Sequence, residues 1–273
     1  MTTTVVAGVL EVPDAHLHYE VRGAGPTLVL VGAPMDATAF APIADLMSRD
    51  FRVVTTDPRG INRSRLTDPD QDSTPELRAD DLFRLLTHLD AGPATVFGSS
   101  GGAVTAMALV QAHPEQVHTL IAHEPPVDEM LEDRDHRHAN TEDVIATYLS
   151  GDVLGAWQKF FTYAEIELPE GALEYMFGRE RDPQSVADER YWFAHELRGT
   201  DRFRPDTAAL RASGARLIVG IGAESTGQSC DLTSRALATE LGIEPTIFPG
   251  DHTGFADDPD GFAPRLRAVL SGE

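Results

Sequence analysis

Gly98-Ser99-Ser100-Gly101-Gly102 is the stretch whose residue types and spacing could do chemistry. A hydroxyl with glycine two residues away on either side, Gly98-x-Ser100-x-Gly102, has the spacing of a nucleophile elbow, with serine at the apex of a sharp strand-to-helix turn. Ala94 to Phe97 is β-forming and Ala103 to Ala112 is helix-forming, so the turn has the flanks it needs. The glycines fit because the apex backbone is strained and strand and helix must approach closely. A hydroxyl at a helix start also feels the positive end of the helix dipole, which favours developing negative charge. Ser99 is adjacent, but only Ser100 has glycine at both two-residue offsets. The competing reading is a Gly/Ser turn that merely lets a crossover helix pack.

A serine nucleophile needs a base, and a base needs an orienting acid. His252 lies in Pro249-Gly250-Asp251-His252-Thr253-Gly254, between a short strand and the final helix, and a loop there points into the elbow crevice. Two acids compete. Glu124 ends the strand after the elbow, where Pro125-Pro126 stiffen the chain on the same sheet edge as Ser100. Glu224 follows a later strand, one residue before the slot that a Gly-x-x-Asp register gives, which here holds Ser225. Asp57 and Arg59 are charged but read as structural, tying down the loop after their strand.

The elements that must position these groups alternate. Strands are predicted over Leu17 to Val21, Thr27 to Val31, Phe51 to Thr55, Ala94 to the elbow, Val117 to Ala122, Arg216 to Ile221 and Pro245 to Phe248. Helices are predicted over Phe40 to Met47, Pro75 to Leu89, Ala103 to Ala112, Leu232 to Leu241 and Pro259 to Leu270. That order predicts an α/β chain with a mostly parallel, doubly wound sheet. Residues 127–204 differ: they hold no buried strand run, several helical segments (Glu142 to Leu149, Val153 to Ala164, Ala172 to Phe177, Ala187 to Glu196) and many aromatics. They read as an inserted helical cap on a core of residues 1–126 and 205–273.

The mid-chain elbow, the cap after the next strand and the histidine loop before the last helix resemble the α/β-hydrolase fold over nearly the whole chain. Within it, the motifs Gly98-Ser99-Ser100-Gly101, His123-Glu124-Pro125-Pro126 and Pro249-Gly250-Asp251-His252 resemble those of the zearalenone lactonases. That family carries its nucleophile as the first of two serines, whereas Ser100 is the second. The resemblance implies Ser100 as nucleophile, His252 as base, Glu124 as acid with Glu224 the alternative, and an oxyanion hole from the backbone N–H groups of Ala33 and Gly101. It implies a cofactor-free serine hydrolase acting on an ester or lactone through an acyl-enzyme. A resorcylic macrolactone, the mycotoxin-degrading activity of those relatives, is the substrate it suggests. A general carboxylesterase is the alternative, and a cofactor-free oxygenase or ligand receptor can keep the same fold without hydrolysis.

The cap's apolar, aromatic inventory suits a bulky hydrophobic ligand, and Trp157, Phe161, Tyr191 and Trp192, with Met35 of the loop after Val31, are the candidate substrate contacts. Asp133, Asp135, His136 and His138 cluster in a charged segment and read as a solvated face, so no metal is expected. At 273 residues and 41% hydrophobic, the chain can bury a large core. A net charge of −22, with Lys159 the single lysine, argues against nucleic acid as a partner. Cys230 is the single cysteine, so no intrachain disulfide can form. No signal-like or membrane-spanning run is evident, which leads to the expectation of a cytoplasmic protein without a membrane partner. A homodimer is compatible with the sequence.

Overall fold

The structure, a computed structural model, describes residues 4–272. Among the described residues nine strands form one sheet: β1 (Val5–Val12), β2 (Ala15–Arg22), β3 (Thr27–Val31), β4 (Arg52–Thr56), β5 (Arg65–Leu66), β6 (Ala94–Ser99), β7 (Val117–His123), β8 (Arg216–Gly222) and β9 (Thr246–Phe248). Their order is β1-β2-β4-β3-β6-β7-β8-β9, with β5 beside β2. Every pair from β4 to β9 along this path is parallel, and β2 meets β1, β4 and β5 antiparallel. The fold is the expected α/β-hydrolase arrangement, mostly parallel and doubly wound.

The central strands are covered on both sides, which is why they read as continuous apolar runs. One face carries α2 (Pro75–His88), α3 (Gly101–Ala112), α9 (Thr207–Ala212) and α10 (Ser229–Leu241), all contributing to one core with Val29, Val96 and Leu120. The other carries α1 (Ala37–Met47), α11 (Gly254–Asp257) and α12 (Pro259–Ser271), whose Phe40, Phe255 and Phe262 pack on Leu28, Phe97 and Ile121. Strand β1 has no counterpart in the sequence prediction. Its Val5, Val6 and Val9 are exposed on an edge strand, so the chain there lacks the in-out alternation that marks a half-buried strand.

Asp57 and Arg59 anchor loops. Buried Asp57 accepts from the first N–H of α1 at Ala37 (3.0 Å) and from Arg63 Nε and Nη2 (2.7 and 2.8 Å). Buried Arg59 pairs with Asp81 through two 2.7 Å bonds.

Between β7 and α9 the regular elements are helical: α4 (Arg134–Leu149), α5 (Val153–Tyr163), α6 (Ala172–Phe177), α7 (Pro183–Tyr191), a π turn (Trp192–Glu196) and α8 (Leu197–Asp201). Helix α4 starts eight residues before the expected Glu142, because Arg137 turns inward on an ion pair with Asp133 and lets a charged stretch join the helix. The helix expected over Ala187 to Glu196 runs on through the π turn to Asp201. Val144, Ile145, Tyr148, Trp192 and Phe193 give this region its own apolar centre. Lys159 of α5 bridges to Asp143 of α4 at 2.6 Å. Among the described residues no helix is long and apolar enough to cross a membrane.

Candidate active site

Ser100 caps α3 at φ 56°, ψ −129°, a left-handed strain that a serine tolerates only where the surrounding structure enforces it. The enforcement is visible. Its N–H donates to His123 O (3.0 Å), and β6 and α3 touch so closely that a Cβ on Gly98 would lie 2.4 Å from Gly102 O. A Cβ on Gly102 would lie 2.1 Å from Val31 O. The glycines therefore let the elbow helix sit directly on β3 and β6.

Glu124 follows β7 and is also left-handed, at φ 49°. Its backbone N–H donates to Gly220 O (3.0 Å), so the turn is clamped to β8. Its side chain is fully buried. Oε1 accepts from Gly222 N (2.7 Å), and Oε2 lies 2.6 Å from His252 Nδ1. Burial alone would raise this carboxyl, but the hydrogen bond and charge of His252 outweigh it and hold it at about 2. Ser225, in the slot of the Gly-x-x-Asp register, is buried beside it. Glu224 is exposed and contributes only its backbone, whose N–H donates to Gly250 O (2.9 Å) and ties the β8 loop to the histidine loop.

His252 stands in the loop between β9 and α11, where Gly250 turns at φ 78° against Gly254. Burial opposes charge on the imidazole, but the nearby Cys230 sulfur and the Glu124 carboxylate outweigh it and push the group above the ordinary histidine range. Cys230, at the start of α10, carries no sequence signal for this place. One atom each of Glu124, Cys230 and His252 lie within 4.8 Å of one another. Such a trio contains metal-ligand types, yet 2.6 Å between Oε2 and Nδ1 is a hydrogen bond, too close for two ligands of one ion whose own bonds are about 2 Å. Ser100 and His252 line the same cavity, and no hydrogen bond joins them among the described residues.

Ala33 and Gly101 flank Ser100 on that cavity wall, Gly101 against Ala33 so tightly that a Cβ would lie 2.5 Å from Ala33 O. The cavity holds about 440 Å³ and is mostly apolar; Trp157, Phe161 and Trp192 line it together with Phe160, Phe177 and Leu168. Two expected contacts lie elsewhere. Met35 packs on the core around Phe40 because its Cβ sits over Gly32. Tyr191 turns to the outer groove beside Gly60 and Arg65, where its hydroxyl donates to Gln71 O (2.9 Å). The charged segment does not converge: Asp133 pairs with Arg137, Asp135 is almost fully exposed, and His138 pairs with Glu129.

Buried His123, one residue before Glu124, packs among Phe97, Phe248, Phe255 and Phe262, and Ser99 Oγ lies 3.1 Å from its Nδ1. Burial pulls it down to about 4, so it is neutral at pH 7.

Residues 26–154 match the family profile described as alpha/beta hydrolase fold. An uncharacterized hydrolase, YraK, of Bacillus subtilis is 32% identical over 99% of this chain and 98% of its own. A zearalenone hydrolase of Bionectria ochroleuca is 28% identical over 90% of each chain. A crystal structure of a hydrolase from Pseudomonas aeruginosa superposes with a TM-score of 0.71 at 19% identity, covering 97% of this chain and 98% of that one.

Proposed function

Because the chain belongs to the α/β-hydrolase family, we propose that it is a serine hydrolase that opens an ester or lactone of a bulky hydrophobic substrate, a zearalenone-type macrolactone being the substrate favoured. The observation that carries this reading is that His252, held by buried Glu124, opens with Ser100 onto a largely apolar cavity. The macrolactone is supported by the relative named zearalenone hydrolase and by the aromatic wall of Trp157, Phe161 and Trp192.

In this mechanism Glu124 accepts a hydrogen bond from Nδ1–H and fixes the tautomer that leaves Nε2 free. On substrate binding the imidazole engages Ser100, a contact that tightens only in the complex. Nε2 takes the hydroxyl proton as Oγ attacks the carbonyl carbon. The N–H groups of Ala33 and Gly101 stabilise the oxyanion; each such donor is worth ~10²–10³ in turnover. The C–O bond breaks, His252 returns the proton to the leaving alkoxide, and water activated by the same imidazole hydrolyses the acyl-enzyme.

The test is a panel of p-nitrophenyl esters, simple lactones and zearalenone, with wild type beside Ser100→Ala, and labelling of Ser100 by a serine-directed phosphonate. Turnover by wild type, loss in the variant and one label per chain are expected. Folded wild type that hydrolyses nothing and takes no label would overturn the proposal in favour of a binding protein or an oxygenase.

A further inference from the structure

The cavity has a polar end that the proposed mechanism does not use. Asp201, the last residue of α8, is 3% exposed and belongs to the cavity wall, as does Tyr163 at the end of α5. Behind them lies fully buried Asp128. Tyr163 Oη donates to Asp128 Oδ2, and Thr141 Oγ1 donates to Asp201 Oδ2 at 2.9 Å. Asp201 Oδ1 has no hydrogen-bond partner among the described residues, although the group sits in a mostly apolar chamber.

Two buried carboxyl groups that feel one another's charge cannot both ionise cheaply. Asp128 has the better claim to the charge: it takes the Tyr163 hydroxyl and faces Arg137 Nη1 at 3.9 Å. Asp201 has only a neutral hydroxyl donor and the more distant influence of exposed Arg202. Burial and the Asp128 charge together push it well above the ordinary carboxylate range. Burial and the Asp128 charge thus favour the protonated form of Asp201, and its Oδ1 is unfilled at the wall. A neutral acid in an apolar wall is a recognition element for an oxygen, since a ligand lacking that oxygen leaves the buried group unpaired.

We propose that Asp201, backed by Asp128 and Tyr163, is a specificity residue whose carboxyl group hydrogen-bonds a carbonyl or hydroxyl oxygen carried by the hydrophobic body of the substrate, other than the oxygens of the bond that is cut. This deepens, and rests on, the reading of the cavity as the place where a bulky hydrophobic ester or lactone binds. It narrows that class to oxygenated ligands and excludes plain hydrocarbon ones.

The experiment measures binding rather than turnover. Benzophenone, diphenylmethanol and diphenylmethane share a shape and differ in the oxygen; their dissociation constants are determined by calorimetry for wild type, Asp201→Asn and Asp201→Ala. One hydrogen bond to a neutral group corresponds to about tenfold in Kd. The preference for benzophenone over diphenylmethane is expected to fall about tenfold in Asp201→Ala and to survive in Asp201→Asn, which keeps a neutral donor. Asp201→Leu, which fills the space, serves if the alanine variant does not fold. An unchanged preference in Asp201→Ala or Asp201→Leu, or no binding of any of the three by wild type, overturns the proposal. Failure of the ester panel with this preference intact would instead sink the hydrolytic reading alone.

Discussion

Replacing Glu124 by glutamine is the most informative perturbation, because the side chain has two fixed jobs. Oε1 accepts the Gly222 N–H at 2.7 Å, so the amide oxygen of a glutamine must stay there. Its NH2 then occupies the Oε2 position, 2.6 Å from His252 Nδ1, and donates where the carboxylate accepted. The imidazole is forced to carry its proton on Nε2, the nitrogen proposed to receive the Ser100 proton. A wrong tautomer of this kind costs ~10⁴ in kcat, about 5 kcal/mol of barrier. Glu124→Asp withdraws the carboxylate by roughly a bond length and is expected to cost ~10². Steady-state hydrolysis of a p-nitrophenyl ester reads both, and phosphonate labelling counts intact sites. Wild-type activity should fall on acidification through a value above 6.5, because His252 is held above that. Stability supplies an independent check. The Glu124 carboxyl lies at about 2 in the folded chain against 4.5 unfolded, so its contribution, about 3 kcal/mol, is present above pH 4.5 and is lost as pH falls toward 2. Glu124→Gln should lack that increment of the loss, so its stability falls less steeply than that of wild type across the window. Retention of more than a tenth of kcat in Glu124→Gln, together with its loss in Glu224→Ala, would refute the reasoning.

His123→Phe should fit the ring cluster of Phe97, Phe248, Phe255 and Phe262 and reduce acid sensitivity. The folded group titrates at about 4 and the unfolded one at 6.5, so wild type loses about 3 kcal/mol as pH falls between them. Urea melts at pH 7 and pH 4 should show a smaller difference for the variant; an equal difference would count against it. Gly102→Ala forces a Cβ to 2.1 Å from Val31 O and 2.6 Å from Gly32 Cα, neither of which can swing away. Denaturation should show a loss of about 3 kcal/mol with activity greatly reduced. Arg59→Leu strands the buried Asp81 carboxylate and should cost about 3–5 kcal/mol, most of it recovered in the Arg59→Leu/Asp81→Leu double variant.

The elbow was legible because its requirement is steric and local: three residues between glycines state that two backbones touch. The parallel sheet was legible for a related reason, since strands buried on both faces write themselves as unbroken apolar runs. What a side chain touches across the chain was not. Cys230 comes close to His252, and Asp201 feels the charge of Asp128, through packing of segments far apart in sequence, for which no spacing rule exists. Tyr191 shows the limit within one helix. It neighbours Trp192 in sequence, yet a helix turns about 100° per residue, so Trp192 faces the cavity while Tyr191 faces the outer groove. The edge strand β1 is not legible because its exposed valines break the alternation that marks a half-buried strand.

The solitary lysine gives the helical region between β7 and α9 a built-in reporter. Lys159 lies in α5 between Trp157 and Phe160, two rings of the cavity wall, and its ammonium holds Asp143 on the neighbouring helix. A protease that cuts only after lysine therefore has a single target peptide bond, in the middle of a folded helix. Cleavage there requires that helix to unravel locally, so the rate of one cut, followed on a gel as a pair of fragments, measures the opening free energy of α5. A ligand seated against Trp157 and Phe161 would slow the cut in proportion to its occupancy, giving a binding assay that needs no chromophore, no turnover and no engineered label.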